Sequence, residues 1–183
     1  GIIVDREKMA AELSKQPTLG KAKARLQAIL DEEIKHQAQF QAIAEFAKAN
    51  NITEEAAFEQ IYRGIWDELS SEQKATVERV YGSIQPGTSG GVSKEAMLAA
   101  EGVRMLLQQR AQNEVTELTK AFSGDIGPNL RQLLTRILEK LKSFAVDPTP
   151  LIKAHIEAVE ALLSQSSAAK ESADQVDQGA EPV

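Results

Sequence analysis

Two histidines and no cysteine are all that this 183-residue sequence offers of the side chains that most often attack, ligate or shuttle protons. Glu33-Ile34-Lys35-His36 has the Glu-x-x-His spacing that puts a carboxylate and an imidazole on one face of a helix. A helical di-metal site needs a second such pair, and His155 has Ile152 where its acid would stand. One pair cannot build the site, so no metal is expected. His36 then reads as a solvent-facing polar position, and His155 as a partly buried, hydrogen-bonded residue.

The run Gly87-Thr88-Ser89-Gly90-Gly91-Val92-Ser93-Lys94 precedes a helix, as a phosphate-binding loop would. Yet Lys94 follows Ser93, Val92 takes the place of the preceding Gly, and no strand leads in, so backbone amides and lysine would not converge on phosphates. An interhelical loop is the expectation. No Gly-x-Ser-x-Gly, Cys–His or His-Glu-x-x-His arrangement occurs, which leaves nucleophilic and zinc chemistry without parts. The chain is expected to be non-enzymatic and to need no cofactor. Asn51-Ile52-Thr53 is a glycosylation sequon at a helix junction, but Thr53 is equally explained as a helix cap.

The elements that would position a site are all helical. More than half of the residues are Ala, Leu, Glu, Lys, Arg or Gln, the strongest helix formers. The pattern predicts helices over 5–15, 18–49, from Thr53, from Ser70 with a capping box to Gln73, over 94–122, from Pro128, and from about Ile152. We therefore expect one all-α domain of six to seven helices over 1–164, with a Gly-rich loop at 85–92 between its halves. The tail, 165–183, is Ser, Ala, Gln and acid with little to bury, and is expected to be disordered.

The helix from Pro128 carries the strongest apolar periodicity, with Leu130, Leu133, Leu134, Ile137, Leu138, Leu141 and Phe144 on one stripe. Arg131, Arg136, Lys140 and Lys142 lie opposite, as on helices that rest on membranes or dock partners. A core helix with a solvated basic face explains the same pattern. Aromatic residues make up only 4% of the chain, so the interior is largely aliphatic and could open a cavity for an acyl chain. On that reading Leu134, Ile137, Leu138, Leu141 and Phe144 line it, with Ile61, Ile65, Trp66, Leu106 and Leu118 facing them. Arg131, Arg136 and Lys142 would meet a carboxylate or headgroup.

The net charge of −6 is uneven: residues 1–84 are acidic by three, 85–164 are balanced and 165–183 are acidic by three. Half of it thus belongs to the tail and describes no binding site. An acidic chain is a poor nucleic-acid binder. No apolar window is long enough to span a bilayer, leaving at most transient membrane contact. The first residue, Gly1, is compatible with removal of an upstream secretion signal; secretion is the expected localisation, with the cytoplasm as the other.

Leu69-Ser70-Ser71-Glu72-Gln73-Lys74-Ala75 resembles the phrase that joins two helices in the fatty-acid- and retinol-binding proteins of nematodes. A helix and Leu-Ser junction like that of the secreted SXP-type nematode antigens surrounds it. The likeness covers about 52–84, under a fifth of the chain; the Gly-rich loop and acidic tail depart from both family patterns. It implies a secreted all-α carrier that holds fatty acids or retinoids between helices, without catalytic residues. The leading expectation is thus binding of a small hydrophobic ligand between helices. The other is a protein-interaction module that uses a helical face or groove.

Overall fold

Each helix in this fold starts where an oxygen is available for the backbone amides that the first turn leaves unpaired. A computed structural model of the chain describes residues 5–82, 91–144 and 147–178, with side chains described as far as 164. Among the described residues there are eight helices and no strand: α1 (Arg6–Ser14), α2 (Leu19–Asn50), α3 (Glu54–Glu68), α4 (Ser71–Tyr81), α5 (Lys94–Ala111), α6 (Glu117–Ala121), α7 (Pro128–Phe144) and α8 (Pro150–Gln178). The protein is an all-α single domain. The expected disordered stretch, 165–183, lies outside the residues whose side chains are described, and 85–90 of the expected Gly-rich loop lie outside the described residues.

Local caps begin seven of the helices, the seventh being Thr149 before α8. Asp5, Thr18, Thr53, Ser70, Ser93 and Thr116 each accept from a backbone amide three residues on. At Ser70 the reciprocal bond from its own amide to Gln73 Oε1 is also made, at 2.9 Å.

Three helix starts are tied to residues far away in sequence. In α5 the third helical residue is Ala96, which cannot reach back to the cap, and Glu59 of α3 does so instead. It accepts from Ser93 N at 2.8 Å and from Ser93 Oγ at 3.1 Å. In α7 the preceding residue, Gly127, has no side chain to cap with, and Pro128 has no amide hydrogen. The two donors that remain, Asn129 N and Leu130 N, both go to the carboxylate of Glu68 at the end of α3, at 2.8 and 3.4 Å. A Cβ on Gly127 would run into that carboxylate, so the glycine leaves room for the substitute cap. In α8 the Thr149 hydroxyl accepts from Ile152 N at 3.3 Å and donates to Asp31 Oδ1 of α2 at 2.7 Å. Asp31 is buried, and Gln27 Nε2 donates to its same oxygen at 3.3 Å.

The expected helix over 94–122 is instead two helices. Asn113 takes a left-handed φ of 55°, which asparagine tolerates better than most residues, and its amide turns back to Arg110 O. Thr116 and Thr119 then make a capping box that starts α6. A threonine at that third position is outside the usual Glu/Gln signature, so the sequence pattern runs through the break.

The core gathers Leu130, Leu133, Leu134, Ile137 and Leu141 of α7 with Ile65 and Trp66 of α3 and Leu106 of α5. From α2 the buried residues are mainly alanines: Ala38, Ala42 and Ala47. Small residues there let α2 lie close to α7; Ile43 is its one large apolar side chain that is buried, while Ile34 and Phe46 pack on the edge of the core.

Candidate functional site

Among the described residues, an open groove of about 630 Å³ lies between α2, α3 and α5. Phe40 and Ile43 of α2, Phe58 and Tyr62 of α3, and Met97 of α5 form its apolar surface. The Phe58 and Tyr62 rings pack at 4.6 Å between centroids, tilted by 53°. Burial pushes the Tyr62 hydroxyl up to about 12, so it stays protonated throughout the physiological range. Phe40 is 66% exposed although it faces this groove.

Charged side chains form the rim. Glu54 and Glu55 stand in the first turn of α3, where the helix dipole favours acids. On α5, Arg104 is held by Glu101 at 2.7 Å, one turn away. His36 completes that end, half-exposed and 3.9 Å from Glu32. With Arg104 engaged, Glu54 and Glu55 give the rim an acidic bias.

The residues expected to line a cavity lie elsewhere. Leu134, Ile137, Leu141, Ile65, Trp66, Leu106 and Leu118 are buried in one shared core, with Leu138, Phe144 and Ile61 packed on its edge. Ile137 and Leu141 also border a recess of about 30 Å³ next to His155, room for a single water. The three expected cations are not brought together. Arg131 donates to Leu163 O of α8 at 3.4 Å, Lys142 pairs with Glu160 of α8 at 3.1 Å, and Arg136 lies over the Phe46 ring of α2 at 5.3 Å.

His155 is buried, 4% exposed, and its Nδ1 lies 3.0 Å from Leu151 O. Burial lowers its pKa below the usual value; the Leu151 carbonyl, Glu32 and Asp31 oppose this, and Lys35 adds to it. Among the described residues no group of three acids or histidines is placed to hold a metal ion. The start of α5, which follows the Gly-rich run, already receives the Glu59 carboxylate. Asn51 of the sequon is exposed in a left-handed turn, and Thr53 caps α3 at 3.1 Å from Ala56 N.

Phe40, Phe58, Tyr62 and Met97 are apolar helix positions in the sequence but are not among the residues expected to form the site. One signal could have pointed to them: five of the eight aromatic residues, Phe40, Phe46, Phe58, Tyr62 and Trp66, fall between positions 40 and 66. Comparison of the chain with protein families, curated proteins and solved structures finds no match.

Proposed function

We propose that this chain is a non-enzymatic interaction module whose α2–α3–α5 groove takes the apolar face of an amphipathic, basic helix from a partner protein. The observation that carries the reading is Phe40, a large ring left 66% exposed beside Phe58, Tyr62 and Met97. Burying such a side chain is worth about 1.5–3 kcal/mol, which folding alone leaves unused. Aromatic residues and methionine are also the types enriched where partners bind tightly. A helix presents apolar anchors at i, i+3, i+4 and i+7, which suits a groove with openings along its length. The acidic rim at Glu54 and Glu55 favours lysine or arginine on the partner's flanks.

A second reading has its own support. A volume of about 630 Å³ lies in the range of small-molecule sites, and Arg104 and His36 stand at one end where a fatty-acid carboxylate would go. A secreted carrier of the kind implied by the nematode resemblance would take that form.

The test is a fluorescence-anisotropy titration of the full chain with a labelled amphipathic peptide that carries leucines on one face and lysines and arginines on the other. A control peptide of equal composition has its leucines scattered around the helix. Saturable binding of the first only, weakened at least tenfold by Phe40→Ser, is the expected result. Equal binding of both peptides, or indifference to Phe40→Ser, overturns the proposal. Saturable oleate binding that depends on Phe40, without peptide binding, selects the carrier reading.

A further inference from the structure

On the other flank of α3, away from the groove and independent of its reading, lies a smaller pocket of about 170 Å³ between α2, α3 and α7. Phe46, Ile61 and Leu133 make an apolar floor, and Gln60 and Gln132 stand at the edge with Arg136. Leu133 is fully buried beneath it.

Arg136 differs from its neighbours in having no acceptor. Among the described residues it makes no ion pair and no hydrogen bond, and its guanidinium lies 5.3 Å from the centroid of the Phe46 ring. Stacking on an aromatic face holds the planar group in place while leaving its five N–H donors available. Two carboxylates of the adjoining helices are already engaged. Glu45 pairs with Lys140, and Glu68 is taken by the amides of Asn129 and Leu130. A half-buried cation is thus oriented at an apolar pocket, and Glu139, one turn along α7, is exposed and makes no ion pair with it.

We infer that this pocket binds a small monocarboxylate with a compact apolar body, held by Arg136. A carboxylate matches the guanidinium fork with two parallel hydrogen bonds, and the Gln60 and Gln132 amides can supply further donors. The apolar floor adds a requirement that a bare anion does not meet. The size sets the body: a cavity of about 150 Å³ accommodates benzene, so a branched or aromatic group of about six carbons fits and a long acyl chain does not. The same chemistry is found in a free branched-chain or aryl acid and in the C-terminal leucine of a peptide.

NMR of the full chain tests this by following the Arg136 Nε–H and the Gln60 and Gln132 side-chain amides during titration with 4-methylpentanoate. Saturable shifts at these three groups are expected, with binding at least tenfold weaker in Arg136→Gln. Two partial probes separate the contributions: 4-methylpentan-1-ol keeps the body without the charge, and inorganic phosphate keeps the charge without the body. Each is expected to bind at least tenfold more weakly than the acid. If either matches the acid, or if Arg136→Gln binds it equally well, the inference is overturned.

Arg136→Lys keeps the charge but not the fork, and is also expected to lose most of the affinity. Should Arg136→Gln fail to fold, Gln132→Glu at an exposed rim position tests the same site, because its added charge should repel the acid. A peptide ending in leucine decides the source. Binding of the peptide acid but not its amide assigns the pocket to chain ends, and binding of the free acid alone assigns it to metabolite-sized ligands. Equal binding of peptide acid and amide overturns the carboxylate requirement.

Discussion

Helix α7 and the middle of α2 both carry large apolar residues, and the fold treats them in opposite ways. On α7, Leu130, Leu133, Leu134, Ile137 and Leu141 are each at most 2% exposed. On α2 the inward positions Ala38 and Ala42 are small, and Phe40, roughly opposite them on the helix, stays open to solvent. Strong amphipathic periodicity therefore marks apolar surface that packing consumes. The apolar surface left over belongs to a helix whose core contact is made largely by alanines with Ile43, which leaves Phe40 free to point elsewhere.

The largest effect expected from this contrast is at the packed end. Leu134→Ala should destabilise the domain by about 3–5 kcal/mol, because a completely buried leucine leaves a cavity its neighbours cannot fill. Urea denaturation measures it, and a loss under about 1 kcal/mol would mean that the α7 stripe borders soft or open space instead. Glu68→Ala comes next, at about 1–2 kcal/mol, since Asn129 N and Leu130 N lose their acceptor and neither Gly127 nor Pro128 can replace it. Gly127→Ala should cost a comparable amount by displacing the same carboxylate.

A smaller effect appears as a pH dependence. The His155 pKa is lowered in the folded state, so below 6.5 the unfolded chain takes up a proton that the native chain refuses. Its contribution to stability is complete above that value and is lost as pH falls from 6.5 toward the folded pKa, below which it levels off. Thermal midpoints from pH 8 to pH 5 should fall more steeply for the native sequence than for His155→Gln. Equal slopes would place the titration elsewhere. The smallest effect is at the open end: Phe40→Ser should change stability by no more than about 0.5 kcal/mol while removing groove binding. A large stability loss there would erase the distinction between the two helices.

Helix starts were largely legible in the sequence, because Thr53, Ser70, Ser93 and Pro128 act locally and the structure uses each as its type suggests. The break at Asn113 was hidden because apolar residues continue through it. Burial of Leu134, Ile137 and Leu141 was legible from their 3.6-residue spacing, but periodicity reports which way a side chain faces and is silent on what it meets. The same limit applies to the three cations. Arg131, Arg136 and Lys142 share one helix, and only the approach of α8 separates the two it engages from the one left over Phe46. The groove was illegible for a related reason, being a property of how three helices lie together.

The remote carboxylates at the starts of α5, α7 and α8 have a consequence for how the molecule opens. First turns ordinarily fray one helix at a time, letting amide hydrogens exchange at little cost. Here the ties from Glu59, Glu68 and Asp31 reach across 34, 61 and 118 residues of chain. The amides of Ser93, Asn129 and Leu130 are thus released only when α3 moves away from them, and the start of α8 is held in the same manner to α2. Positions that would exchange within seconds in an isolated helix become reporters of much larger opening, and a protease that needs a loosened helix end must wait for separation of whole helices.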